Sequence, residues 1–258
     1  DLKIGFRKIG SLLPIENETQ WNILKAREAV LQKNGIPAEL ILAKNLHDVE
    51  PFLKADTLLG ALHHADEGQI DPFRLIWAYL QRAKQKGLQE FYFSEITGFQ
   101  IHNNQICGVK TAIGNYSAKN IILCTGAFTR QLGRAIGRDW PTHYVLGQAL
   151  VTEPIDFILQ NHIASASFFE TGAQVSPGKL IANMAISQSV YGHILIGESM
   201  YEVSHFNKAV PALALPAITN CWLKYFPSLA KLRVLRSWSA PVADVSDGLP
   251  LFGPVTGL

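Results

Sequence analysis

Apolar and polar positions alternate over 4-IGFRKIGSLLPI-15, with Gly10 as punctuation, and this pattern predicts a strand hairpin. The period then lengthens. Trp21, Leu24, Ala29 and Leu31 supply a buried stripe for a helix from about Glu18 to Asn34, and Asn34-Gly35 stops it, because glycine accepts the left-handed conformation past a helix end. Segment 46-LHDVEPFL-53 reads as a short helix interrupted near Pro51, and 58-LLGALHHA-65 as a strand. The clearest helix is 72-PFRLIWAYLQRAKQKG-87: Asp71 can cap its free amides, Pro72 suits the first helical position and Gly87 ends it. Strands 91-FYFSEITGFQIHN-103 and 105-QICGVKTA-112 follow, joined by a tight turn at Asn103-Asn104, with a second turn at Gly114-Asn115. A buried strand, 119-KNIILCTG-126, runs into a helix, 127-AFTRQLGRAIG-137.

The second half is richer in strands, with candidates 144-YVLGQALVTE-153, 164-ASASFFE-170, 179-KLIANMAIS-187 and 193-HILIGESM-200, and one helix at roughly 208–225 precedes 232-LRVLRSWSAPVADVSDGLPLFGP-254. No repeat of fixed period and no low-complexity segment interrupts it. The mixture predicts an α/β or α+β protein whose second half carries a large mixed sheet flanked by helices.

Composition narrows the function classes. The apolar fraction is 48% and the charged fraction 17%, so the chain can bury a core, which excludes a disordered or fibrous protein. Lys plus Arg is 23 against Asp plus Glu 21, a net of +2, and no clustered basic face suggests a nucleic-acid partner. Apolar runs such as 120-NIILCTGAF-128 fall far short of the ~20 residues that cross a bilayer. No signal peptide or lipidation motif opens the chain. Cys107, Cys124 and Cys221 are widely spaced and odd in number, which predicts free thiols in a cytoplasmic protein, with Cys124 and Cys221 packed in the core. No Cys and His are spaced as metal ligands.

Two units can carry chemistry. In 118-AKNIILCTGAFTRQLG-133, a buried strand ending in Thr-Gly-Ala would set bare backbone at its carboxyl end, where nucleotide cofactors sit in open α/β sheets. Any strand-to-helix turn can use glycine, so the pattern alone leaves both readings open. In 236-RSWSAPVADVSDGLPLFG-253, Asp247-Gly248 is a turn pair, and the plain reading is a hairpin loop. His63 and His64 are adjacent in a strand and point to opposite faces, so they make no joint site. His143, His162, His193 and His205 are scattered and read as surface or structural groups. The aromatic groups Phe168-Phe169 and Trp222–Tyr225–Phe226 read as core packing.

Taken in order, 66-DEGQIDPFRLIWAYLQRAKQKG-87, 94-SEITGFQIHNNQICGVKT-111, 119-KNIILCTGAF-128, 147-GQALVTEP-154, 187-SQSVYGHILIGES-199 and 236-RSWSAPVADVSDGLPLFG-253 resemble the flavin-dependent amine and amino-acid oxidoreductases of the D-amino acid oxidase class. GQALVTEP and SQSVYGHILIG resemble most the beta subunit of heterotetrameric sarcosine oxidase and related opine-oxidising subunits. The resemblance implies oxidation of the C–N bond of an amino acid or secondary amine by hydride transfer to FAD, giving an imine. It implies that Thr125, Gly126 and Ala127 form a flavin-facing turn, that Ile96 meets the adenine side, and that Asp247 and Gly248 lie near the isoalloxazine. Met184, Ser199 and Val242 match positions facing the substrate, and Gln148 a polar group at the sheet end or a structural hydrogen bond. Residues 1–60 and 140–240 would form the substrate domain, and 61–139 with 241–258 part of a Rossmann-like FAD domain.

Three departures qualify that expectation. No G-x-G-x-x-G phosphate cradle is present, so the chain reads as an internal fragment that would bind flavin poorly. Val242 stands four residues after Trp238, where glycine oxidase-like enzymes carry a carboxylate-binding arginine, and Arg236 reads as structural. Ile70 stands where the sarcosine oxidase beta subunit carries its flavin-linked histidine, so the FAD would be non-covalent. The partners implied are a small amine or amino-acid substrate and other subunits of a hetero-oligomeric oxidase. Alternatives are a non-catalytic assembly subunit and, less supported, a nicotinamide-dependent dehydrogenase.

Overall fold

The computed structural model describes residues 3–170, 178–206, 209, 211–245 and 247–255. In chain order the strands are β1 Arg7–Lys8, β2 Ser11–Ile15, β3 Glu39–Leu42, β4 Gly60–His64, β5 Gly68–Gln69, β6 Ile96–His102, β7 Gln105–Thr111, β8 Gly114–Ser117, β9 Thr142–Pro154, β10 His162–Ala164, β11 Ile181–Gln188, β12 His193–Val203 and β13 Val234–Val245. The helices are α1 Glu18–Lys33, α2 Leu46–Val49, α3 Pro72–Lys84, α4 Thr129–Arg134 and α5 Ala214–Tyr225. An eight-stranded sheet runs β13-β9-β12-β11-β10-β2-β4-β3 and is mixed: β10 pairs parallel with β2, and every other pairing is antiparallel. β6-β7-β8 form a separate three-stranded sheet, and β1 and β5 a short ribbon.

Local chemistry sets the helix ends. The Asn17 side chain accepts from the Gln20 amide at 2.9 Å while the Gln20 side chain accepts from the Glu16 amide at 2.8 Å, a reciprocal cap that starts α1. Asp71 Oδ1 accepts from Phe73 and Arg74 amides at 3.0 and 3.1 Å, with Pro72 opening α3 as expected. Asn103 and Asn104, at φ +50° and +59°, make the two-residue turn between β6 and β7.

Three layers make the core. On one face of the large sheet, α5 lays Ile218, Trp222 and Tyr225 over Leu150, Met184, Ile186 and Ile196; burying each such aliphatic side chain is worth about 1.5–3 kcal/mol. On the other face, α1 and a 3-10 turn at Ala166–Phe169 cover only the β2-β4-β3 end, with Leu24 against Ile15, Leu62 and Ala166. The rest of that face, over β12, β9 and β13, is more open: Trp238 and Val242 are 38% and 50% exposed, while Val145 beside Val242 is covered, at 1%.

Several expectations change. The opening hairpin does not form, because Gly10 at φ +71° turns the chain; β1 pairs with β5 and β2 with β4 and β10. Residues 91–95 lie outside β6, and Gly114 begins β8 instead of turning. Segment 164–170 pairs only as far as Ala164; Ser165 Oγ accepts from the Met184 amide at 2.7 Å and the chain then coils. Residues 119–125 form no strand, since a strand needs a neighbour to satisfy its backbone groups and none of the described residues supplies one. Ile122 is therefore 83% exposed and Cys124 is exposed, not in the core. Part of the helix expected at 208–225 (207, 208 and 210) lies outside the described residues, and the helix runs from Ala214.

Candidate functional site

The turn expected to face a cofactor is a 3-10 turn, Gly126–Phe128, leading into α4. The Phe128 amide donates to the Thr125 carbonyl at 3.0 Å, and the Thr125 and Thr129 hydroxyls bond to each other at 3.0 Å. Gly126 sits at φ +52°, and a Cβ placed on it would meet no atom within 4 Å. The turn thus presents bare backbone to open space. It packs against β13 and is fixed from behind. Arg130 Nε and Nη2 donate to the two carboxylate oxygens of Asp139 at 2.7 and 3.0 Å, and Nη1 donates to the Thr142 carbonyl at 3.0 Å. The guanidinium groups of Arg130 and Arg134 hold the Asp139 carboxyl far below the usual carboxylate range. Phe128 also stacks on Phe206 at 4.8 Å.

β13 carries the second part. The registers Ala185–Gly197, Gly197–Ala149 and Ala149–Trp238 lay a row of small residues across four strands, ending at the indole. A Cβ on Gly197 would meet only Ala149 Cβ at 3.9 Å and the Ala185 carbonyl at 4.0 Å, so the backbone here is open to close approach. Arg236 lies over the Trp238 ring at 5.7 Å. One step further, Val145 and Val242 pair, and beyond them His143 Nε2 approaches Asp244 Oδ2 at 3.4 Å. β13 ends in the turn at Asp247 and Gly248, where Gly248 (φ +70°) donates to the Val245 carbonyl at 2.8 Å and Asp247 Oδ1 accepts from the Leu249 amide at 3.0 Å. The Gly126–Phe128 turn thus contacts β13, the strand that carries Val242 and that leads into the turn at Asp247 and Gly248.

Other expected residues lie elsewhere. Met184 has no exposed surface and packs under the sheet with Ile186 and Ile196. Ser199 pairs in register with Gln148, which pairs on its other side with Ser239. Gln148 sits mid-strand, not at the sheet end, two residues from the core residue Leu150, and among the described residues neither its amide atoms nor Ser199 Oγ finds a hydrogen-bond partner. Ile96 belongs to the three-stranded sheet, where with Phe91, Ser94, Val109, Thr111 and Tyr116 it lines a cavity of about 290 Å³.

The far border of the open face is the β1–β5 ribbon. Arg7 bonds Gln69 and the Gln188 carbonyl (2.6 Å), Gln69 donates to Ser187 Oγ at 3.1 Å, and Ser11 donates to Glu67 at 2.6 Å. Burial lowers the His162 pKa beside this network, against the pull of Glu67, so its imidazole is held toward the neutral form. Pairs such as His143–Asp244 had no signal in the sequence, because cross-strand register alone joins them.

These features fit the ring side of a flavin: open backbone at Gly126, an apolar and small-residue floor, and a turn at Asp247-Gly248. The described residues hold no glycine-rich helix start for the pyrophosphate. Among them no cluster of His, Cys, Asp or Glu could hold a metal, and no helix is long and apolar enough to cross a membrane.

The chain is 27% identical over 201 residues to hydrogen cyanide synthase subunit HcnC of Pseudomonas protegens, covering 77% of this chain and 44% of that protein. It is 22% identical over 246 residues to sarcosine oxidase subunit beta of Rhizobium meliloti, covering 94% and 56%. Its fold matches the crystal structure of L-proline dehydrogenase from P. horikoshii with a TM-score of 0.89 at 23% identity, covering 100% of this chain and 66% of that one. The chain therefore spans about half the length of the curated relatives it matches. The sequence model of the family described as FAD dependent oxidoreductase (DAO) matches residues 1–258, and the chain belongs to that family.

Proposed function

We propose that the protein oxidises the C–N bond of an amino acid or secondary amine, in the cytoplasm, with non-covalently bound FAD. When bound, FAD accepts the hydride from the carbon next to nitrogen, and the resulting imine is hydrolysed by water. This chain's residues position rather than react. The Thr125–Ala127 turn, held by Arg130, offers backbone to the flavin edge. The row from Ala185 to Trp238 gives a floor on which a small substrate can lie, and Trp238 and Val242 wall it from one side. Residues 1–60 and 140–240 serve the substrate and 61–139 with 241–258 the flavin. Ile70 offers no histidine for a covalent flavin link.

The observation that supports the reading best is that the small-residue row ends on β13 and the open glycine turn packs against that same strand. A second reading, a non-catalytic subunit in a hetero-oligomeric complex, is favoured by Val242, exposed and uncharged where a carboxylate-gripping arginine would serve a simple amino-acid oxidase. Loading the full-length protein with FAD and mixing it anaerobically with N-methylglycine, proline and larger secondary amines separates the two. Bleaching of the flavin by one of them supports the enzyme, and stable assembly with no bleaching supports the scaffold.

A further inference from the structure

β12 crosses the open face, and there it carries one residue more than β9 opposite. Gly197 pairs with Ala149 and Ser199 with Gln148, leaving Glu198 as the extra residue of a bulge. Bulges re-aim side chains. The neighbours directed to the covered face are sealed: Ile196 and Ser199 are 0% exposed and Gln148 2%. Strand alternation from the sealed Ser199 directs Glu198 to the opposite side, that of Gly197, Ala149 and Ala185, and Glu198 is intermediate in exposure.

No hydrogen bond or ion pair reaches the Glu198 carboxylate from the described residues. Burial pushes its pKa up, and among the described residues no salt bridge compensates it. A half-buried carboxylate without a cation is unfavourable for the free protein, and a cation supplied by a ligand relieves that cost. A Cβ built on the neighbouring Gly197 meets only Ala149 Cβ and the Ala185 carbonyl, at 3.9 and 4.0 Å, so the backbone beside Glu198 is open to close approach by a small ligand. Trp238 lies on β13, two strands away, and at ~4.8 Å per strand the backbones of β12 and β13 are roughly 10 Å apart, a span on the scale of a small amino acid.

We propose that Glu198 holds the positively charged nitrogen of the substrate and so selects cationic amines over neutral molecules of the same shape. The proposal rests on the amine-oxidising reading and names the residue that would enforce it. The probes are N,N-dimethylglycine and 3-methylbutanoate, which differ by a protonated nitrogen in place of a CH group. Their binding to the FAD-loaded full-length protein is measured by calorimetry, for the wild type and for Glu198→Gln, with melting curves as the control for folding. The expected result is that the wild type prefers dimethylglycine by about tenfold or more, the scale of a charge-assisted hydrogen bond. In Glu198→Gln the preference falls to about twofold or less, with 3-methylbutanoate unaffected. Glu198→Ala gives the same readout should the glutamine variant not fold. A wild type that prefers the amine and a variant that keeps the preference overturns the role of Glu198 and leaves the amine reading standing. A wild type with no preference, or binding neither probe, overturns both.

Discussion

Arg130 grips both carboxylate oxygens of Asp139, at 2.7 and 3.0 Å, and with its remaining nitrogen reaches the backbone carbonyl of Thr142 at 3.0 Å. One planar side chain thereby ties the glycine turn and α4 to the start of β9, the strand that carries Gly147 and Ala149 across the open face. A lysine could not make this two-pronged contact. Arg130→Lys is expected to leave the fold intact, loosen the turn and slow flavin reduction by amine by up to about 100-fold, the scale of a misplacement near 1 Å. Stopped-flow absorbance checks it, and Asp139→Asn should reproduce most of the effect.

Gly126 is the second point of control. A Cβ there meets nothing within 4 Å, so Gly126→Val suffers only the left-handed backbone, roughly 1–2 kcal/mol. The expected outcome is a folded, slightly less stable protein that retains little FAD on gel filtration. Full flavin retention by the variant would show that the turn does not face the cofactor.

Glu50 is fully buried, and its carboxylate accepts from the Gln160 amide at 3.1 Å and from the Asn161 amide and side chain at 3.0 and 3.2 Å. It pins the loop before β10 to the end of α2. Glu50→Ala leaves those donors unpaired, and a loss of about 2–4 kcal/mol in denaturant unfolding is expected.

Glu198 makes a pH prediction. Its carboxyl pKa is raised in the folded protein, so just above the ordinary value of 4.5 the folded state holds more protons than the unfolded state. Stability attributable to this group therefore falls as pH rises through the interval between the unfolded and folded values. Glu198→Gln removes that slope: its Tm should exceed the wild type's at pH 7 and match it near pH 4. Equal Tm differences at both pH values would contradict the unpaired, half-buried carboxylate.

Local signals were legible in the sequence wherever the chain satisfies itself. Asn17 and Gln20, Asp71 and Pro72, and Asn103-Asn104 fix helix starts and a hairpin turn from a few neighbouring residues. Segment 119–125 misleads because its apolar run reports strand propensity, while a strand requires partners along its edges. The site divides in the same way. Resemblance to flavin oxidoreductases pointed to Gly126 and Asp247, whose turns are encoded locally. Met184 and Ser199 face under the sheet, and Glu198 and the His143–Asp244 pair went unseen, because a bulge and a register are properties of two strands at once.

The central claim is that this fold holds FAD against the open sheet face and passes it electrons from an amine. The most direct test is the visible spectrum of the full-length protein after loading with FAD, gel filtration and anaerobic addition of N-methylglycine, proline or a larger secondary amine. The account predicts a retained band near ~450 nm that bleaches with at least one amine and not with 3-methylbutanoate. A protein that retains the band but is bleached by none of the amines, or that retains no flavin at all, would contradict it.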